Sequence, residues 1–426
     1  MSFENWQQDE LTITNNRHLP QLFLQITTVD YNRKDPVFWI QALITLVKYR
    51  HKQRRIPRYY SELEKLHGHL TATLDDVYIP VLPICPQAKY DKQGHLLSRY
   101  WWIELIDKKQ RQNNNNQEEE EEEEAENQLL PTPDIKIQRW LDRIANHERI
   151  QQSEGLREFI ESEVGLFMYK KNKNKKFRPQ LNKKKPNDSK RRHSATVKNE
   201  DLEPEFWILN EQIDTFRLYL GRLQPCLSRV AHEQKGSAEA WMDLASIWIT
   251  YGGMERHPEL FIACQQIHSI ELLQEIALNE TLGEEIEYQI KNSINAQNIM
   301  MKRLSILSNY FSSRKRTESS LRNVERLKSS SNIDRNQAND AIAELEYARR
   351  IEKDALQRYE RIDSHFDEDL EKRFKPQTAS DMISSIREYA KSQLILEKQK
   401  LIAWQNMLSR IKHQSSPTSL SLSSLS

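Results

Sequence analysis

The side chains in this sequence that could act on a partner are bases, and they gather in two places. Between Tyr169 and Asn199 stand Lys170, Lys171, Lys173, Lys175, Lys176, Arg178, Lys183, Lys184, Lys185, Lys190, Arg191, Arg192 and Lys198, with Asp188 as the one acid. A second cluster, Arg314, Lys315, Arg316, Arg322, Arg326 and Lys328, is interrupted by Glu318 and Glu325. Such runs attract polyanions: beside an anionic bilayer each Lys or Arg contributes about 1 kcal/mol. Most runs of this kind are plain solvated linkers. Nuclear targeting or nucleic-acid binding is the second reading, but Phe177 is the only aromatic inside the first run and no folded nucleic-acid motif accompanies it. Membrane attraction is therefore preferred, and no nucleic-acid partner is expected. Within the run, Arg191, Arg192, His193 and Ser194 place a serine two residues beyond a basic pair, a pattern that basophilic kinases read and that also arises by chance. A phosphate on Ser194 would add about −1.5 to −2 charges and offset about two bases, which makes the run a candidate electrostatic switch.

No catalytic set accompanies these charges. Gly252 and Gly253 are followed by Met254 and lack the Lys and Thr of a phosphate-binding loop. His67, His69 and His257 stand apart from Cys85, Cys226 and Cys264, and none has carboxylates at zinc-ligand spacing. The expectation is a non-enzymatic protein without metal or cofactor. The scattered cysteines suit a reducing compartment. The polar N-terminus lacks the apolar core of a signal peptide, and no run approaches a membrane span, so a cytosolic or peripheral protein is expected.

The elements that must carry these groups read in two parts. From Asp201 to His413 apolar residues recur in steps of three and four: Phe206, Leu209, Ile213, Phe216, Leu220, Leu223, Leu227 and Val230, then Trp241, Leu244 and Trp248. Met300, Leu304, Leu307 and Phe311 continue the pattern, as do Ile383, Ile386, Ala390, Leu394, Leu401, Trp404, Leu408 and Ile411. Breaks at Gly252 with Gly253 and at Ser329 to Asn332 divide the stretch into three long helices, the last two of roughly 70 residues, about 100 Å each. Pro225 and Pro376 are expected to bend the first and third. Trp241, Leu244 and Trp248 are the expected dimer seam.

Before this region lies a smaller α+β module. Leu22–Tyr31 and Val37–Val47 read as a hairpin around Asn32–Pro36, and a further strand passes into a helix within RIPRYYSELEKLHGHL, Arg55–Leu70. A proline-spaced loop, YIPVLPICP at Tyr78–Pro86, follows, and Ile137–Ile160 supplies two short amphipathic helices. Between Gln87 and Pro133 an insertion starts with Tyr90, Leu96, Leu97, Tyr100, Trp101, Trp102, Ile103, Leu105 and Ile106. It ends in an Asn and Glu run at 113–126 that is expected to be disordered.

The order RYYSEL at Arg58–Leu63, IPVLP at Ile79–Pro83, WLDRIANH at Trp140–His147 and LREFI at Leu156–Ile160 resembles a phox-homology (PX) domain. A PX domain followed by three long helices is similar to the sorting nexins with a Bin/amphiphysin/Rvs (BAR) domain. Arg326–Arg349 and Ser384–Lys400 resemble the retromer members of that group. The expected fold is thus an α+β PX domain followed by an all-α BAR domain of three long antiparallel coiled-coil helices. The expected boundaries are an arm at 1–19, the PX domain at 20–168 with its insertion at 87–133, a basic linker at 169–200, the BAR domain at 201–413 and a Ser-rich tail at 414–426.

The resemblance implies a scaffold on the cytosolic face of endosomes that binds phosphoinositides, senses or makes curvature and supports retrograde transport to the Golgi. It implies as partners a second PX-BAR sorting nexin, of the vacuolar protein sorting-associated protein 5 type, and the cargo-selective retromer trimer. By the same resemblance the lipid-binding candidates are Arg58, Tyr59, Tyr60 and Lys136. Tyr59 stands where the family's phosphate-binding Arg belongs, and Pro83 is followed by Ile84 rather than by the family's Lys, so a weak or atypical pocket is expected. The insertion's aromatics extend the PX core in the preferred reading and form a protein-binding platform in the other. By the same family pattern, Lys170–Arg192 and Arg314, Lys315 and Arg316 face membrane. A tethering or cytoskeletal coiled coil that borrows a PX domain for its address is the alternative for the whole chain.

Overall fold

The computed structural model describes residues 21–74, 76–85, 90, 94, 135–163, 165, 204–253, 257–329 and 335–414. They fall into two compact units, one drawn from residues 1–88, 133–210 and 295–372, the other from 89–132, 211–294 and 373–426.

The first unit opens with a three-stranded antiparallel sheet in the order β1 (Leu22–Asp30), β2 (Val37–Ile44), β3 (Gln53–Tyr59). The hairpin turn is set by Asp30, whose carboxylate accepts the Asn32 N–H at 3.0 Å. Strand alternation sends Leu22, Leu24, Phe38, Ile40, Ala42, Ile44 and Ile56 to one face, all buried, and leaves Phe23, Trp39 and Leu43 partly exposed on the other. Helix α1 (Tyr60–Thr73) follows β3 directly and presents Leu63, Leu66 and Leu70 to that face, at the spacing one helical side requires. The layer is closed by α2 (Ile135–Ala145), α3 (Glu148–Gln151) and α4 (Glu154–Glu161), which bury Trp140, Leu141, Ile144, Leu156 and Phe159 in the same core. Full burial of a Leu, Ile or Phe contributes about 1.5–3 kcal/mol, so this one cluster holds sheet and helices together. Gln138 of α2 fastens to the sheet: its amide Nε2 donates to the Leu24 carbonyl and its Oε1 accepts the Ile26 N–H, both at 2.7 Å.

The same unit contains the start of α5 (Pro204–Thr250), much of α7 (Glu284–Lys328) and α8 (Arg335–Asp367). Phe206 stacks on Phe366 with centroids 5.7 Å apart. Arg303, 3% exposed, lies over both rings and its Nε donates to Asp363 at 2.7 Å. A buried Arg is tolerated when its charge is both paired and hydrogen-bonded.

In the second unit α5 stops at Thr250, where Gly252 takes a φ of 68°, a conformation that disfavours a side chain. Helix α6 (Pro258–Leu278) begins with proline at its first position, where no N–H is needed. It runs through a π-helical turn, Asn279–Gly283, into α7. Helix α9 (Lys375–Gln414) follows a second π-helical segment, Glu368–Phe374. A polar seam links the helices of this unit: Gln274 Nε2 donates to Gln393 at 3.0 Å and to Glu397 at 2.6 Å, Lys400 pairs with Glu271 at 2.8 Å, and Ser385 donates to the Thr281 carbonyl at 2.8 Å.

The two π-helical turns revise the expectation of uninterrupted second and third helices. Proline has no N–H to return to the preceding turn, and the widened segment sits immediately before Pro376. Helix α5, by contrast, runs through Pro225 as one element.

Candidate functional site

Strand β3 delivers RYY to the start of α1, and its alternation decides where each side chain goes. Ile56 and Arg58 share the inner face, and Arg58 is 1% exposed. Its Nε and Nη2 donate to the Phe159 carbonyl at 2.8 and 2.6 Å, Nη2 also donates to the Ser162 carbonyl, and Nη1 donates to Pro57 O at 2.9 Å. The guanidinium also lies over the Phe159 ring, 5.3 Å from its centre. Phe159 and Ser162 lie at the C-terminal end of α4, where carbonyls lack helical partners and a positive charge meets the negative end of the dipole. Arg58 is therefore a capping residue inside the fold. The expectation places it among the lipid-binding residues; in this structure its donors point at backbone carbonyls of the domain.

Tyr59 faces outward at 40% exposure, and its hydroxyl accepts from Arg33 Nη1 at 3.1 Å. Its N–H is bonded by the Glu62 carboxylate at 2.9 Å, which fixes the first turn of α1. Tyr60 is half-buried against the proline-spaced loop and donates its hydroxyl to the Pro83 carbonyl at 2.7 Å. Its pKa is pushed up to about 12, by burial first and then by Cys85 and Glu64. The Cys85 thiol is likewise pushed up to about 11, by burial and then by Asp35 and Glu64. The surroundings of Tyr60 thus include two carboxylates, which repel a phosphate. Lys136, in the first turn of α2, is half-buried.

This arrangement has an alkaline signature. The folded state favours the neutral Tyr60 phenol, so the stabilisation is complete below the ordinary Tyr value near 10 and is lost as pH rises from there through about 12. Tyr49, buried with its hydroxyl on the Gln151 carbonyl at 2.9 Å, is shifted in the same direction, chiefly by burial. Urea midpoints of the full chain should fall between about pH 9 and about pH 11, and Tyr60→Phe should make that fall shallower. An equal fall in the variant would remove Tyr60 from the account.

A strand running straight into α1, followed by a proline-spaced loop anchored on Tyr60 and on Trp140, whose Nε1 donates to Pro80 O at 3.0 Å, is the geometry that comparison with known families then names. Residues 46–163 match the PX domain. The core of this PX domain also takes in Leu22, Leu24 and the β2 residues upstream of the matched segment. A mostly helical region follows it. Across 406 residues the chain is 22% identical to vacuolar protein sorting-associated protein 17 of Schizosaccharomyces pombe, an alignment that covers 92% of this chain. The chain spans 65% of that curated relative's length. The SNX-BAR Mvp1 tetramer, solved by cryo-electron microscopy, aligns with a TM-score of 0.45 at 12% identity, over 91% of this chain and 100% of that one.

The other expected site residues divide. Lys170–Arg192 and Ser194 lie outside the described residues. Arg314, Lys315 and Arg316 are exposed on α7, where Arg314 pairs with Glu318 at 3.5 Å and Arg316 lies near Glu344 at 3.9 Å and over the Tyr347 ring at 5.5 Å. Exposed pairs of this kind leave most of the charge available to a third party.

Two of the three expected dimer-seam residues make contacts within the chain. Trp241 packs edge-on against Trp404 of the same chain, centroids 5.5 Å apart. Trp248 closes the α5–α6 turn by donating its Nε1 to the His257 carbonyl at 3.1 Å, with its ring where a Cβ on Gly253 would stand. Leu244 is 40% exposed and belongs to a stripe with Leu223, Val230 and Tyr251, all at seven-residue multiples. A matching stripe on α9, Leu394, Leu401 and Leu408, is 57%, 56% and 51% exposed. Sequence spacing found the first stripe, but it could not tell which aromatics the chain itself would cover.

Proposed function

We propose that the chain is a non-enzymatic sorting nexin: it binds phosphoinositide-containing endosomal membrane, assembles there with a second PX-BAR sorting nexin of the vacuolar protein sorting-associated protein 5 type, and works with the cargo-selective retromer trimer in retrograde transport to the Golgi. The observation that carries this reading is a PX domain joined, in one chain, to long helices with uncovered heptad stripes at Leu223–Tyr251 and Leu394–Leu408. The similarity to a vacuolar protein sorting protein of Schizosaccharomyces pombe supports the same role. The burial of Arg58 and the carboxylates beside Tyr60 favour weak head-group recognition, so most of the attraction falls to the basic segment Lys170–Arg192 and to Arg314, Lys315 and Arg316.

Vesicle binding tests this directly. Binding of the full chain to anionic vesicles should fall steeply as salt rises, because exposed charges are screened within about 8 Å at physiological ionic strength. Adding phosphatidylinositol 3-phosphate at constant net charge should change it little. Together with its partner the chain should deform the vesicles into tubules. Salt-independent binding governed by the head group would overturn the electrostatic assignment, and clustered but undeformed vesicles would favour the tether.

A further inference from the structure

The proline-spaced loop of the PX domain is gripped from two sides. From within the domain, Trp140 bonds the Pro80 carbonyl and Tyr60 bonds that of Pro83. From the helices of the same unit, Asn295 Nδ2 donates to the Ile79 carbonyl at 2.6 Å, and Asp369 Oδ2 accepts the Tyr78 N–H at 2.6 Å. The other oxygen of Asp369 meets His147 Nε2 at 3.0 Å, with both side chains under a tenth exposed. At the start of the loop Asp76, its side chain 3% exposed, pairs with Arg149 of α3 and with Arg361 of α8, the latter at 3.6 Å.

The charges therefore cross. The PX domain contributes the buried carboxylate of Asp76 with Arg149 and His147, and the helices contribute the buried carboxylate of Asp369 and Arg361, each carboxylate meeting a basic side chain from the other side. A buried charge left without its partner is strongly unfavourable, so the contact has one favourable register and resists gradual sliding. Asp369 projects from a π-helical segment, a kind of turn that is rare and recurs at functional positions.

We propose that the loop Asp76–Pro83 and the helical residues Asn295, Arg361 and Asp369 form a latch through which the PX domain and the helices of this unit sense each other's state. What docks beside Tyr60 acts on the backbone that Asp369 and Asn295 hold. What moves the helices acts on the same loop. Thermodynamic coupling of this kind is reciprocal, and the reciprocity is what can be measured. It does not depend on the lipid or partner assigned above.

Hydrogen exchange of the lipid-free full chain provides the test. Asp369→Asn, nearly isosteric but uncharged, should speed exchange at Ile79, Val81 and Leu82 about tenfold while the amides of β1–β3 keep their protection. Asp76→Asn should raise exchange in residues 358–369 by a similar factor. Asp363→Asn, which disturbs a carboxylate paired with Arg303 instead of the loop, should leave Ile79–Leu82 unchanged. Should Asp369→Asn also release the sheet, His147→Phe, which removes the cross-pair and keeps the volume, must give the loop-specific result in its place. Effects confined to the mutated side in both directions overturn the latch, as does loosening of the loop by Asp363→Asn equal to that by Asp369→Asn.

Discussion

Replacing Arg58 by Ala should lower the melting temperature of the PX domain by roughly 10–20 °C in the full chain, a loss of about 3–5 kcal/mol. The guanidinium is 1% exposed and caps the carbonyl end of α4 through Phe159 and Ser162. Truncation leaves these acceptors buried without a donor, at about 1–3 kcal/mol each, and opens a cavity beside the Phe159 ring. Lys at this position keeps the charge but loses the planar fork, so Arg58→Lys should recover only part of the loss. Calorimetry on the whole chain, with the PX and helical transitions separated, gives the answer. An unchanged melting temperature combined with lost vesicle binding would return Arg58 to the lipid pocket.

Leu401→Asp combined with Leu408→Asp should abolish helix-mediated association and leave the fold intact. Both residues are more than half exposed on α9, so the isolated chain loses little by the exchange. In an assembled interface each Leu forfeits about 1.5–3 kcal/mol of burial, and each carboxylate must be desolvated besides. A total of roughly 4–6 kcal/mol weakens binding by about three to four powers of ten. Sedimentation equilibrium of the chain, alone and mixed with a second PX-BAR sorting nexin, reports the effect. Trp241→Ala should behave oppositely, lowering thermal stability because its ring packs on Trp404 inside the chain. Unaltered masses for the double variant in both mixtures would place the interface elsewhere.

Periodicity made the helical region legible, because a buried or partner-facing stripe forces its spacing on the sequence whatever covers it. The cover itself was not legible. Trp241 and Leu244 occupy equivalent seam positions, yet one meets Trp404 of its own chain and the other faces outward. For Arg58 a usable signal existed. Ile56 is the apolar inward residue of β3, and a residue two further along a strand points the same way, so strand parity alone turns Arg58 inward. Motif alignment obscured it, since an Arg next to two tyrosines invites comparison with a phosphate site. The pairing of His147 with Asp369 joins residues 222 positions apart and leaves no local trace. Nor does the π-helical turn at Asn279–Gly283 announce itself, whereas the one at Glu368–Phe374 is followed closely by Pro376.

Gln138 does for β1 what a fourth strand would do. By presenting one acceptor and one donor to Ile26 and Leu24 at 2.7 Å, its side-chain amide imitates the backbone of a neighbour that is not there. An incoming extended peptide finds those two groups already answered and cannot zip onto this margin without displacing α2. Strand β3 pairs with β2 alone among the described residues, and its outer margin is answered in part as well, at Pro57 O by Arg58 Nη1 and at the Tyr59 N–H by Glu62. A partner strand on that side would meet Gln53 and Arg55 first, because Pro57 has no N–H to offer and its carbonyl is already taken.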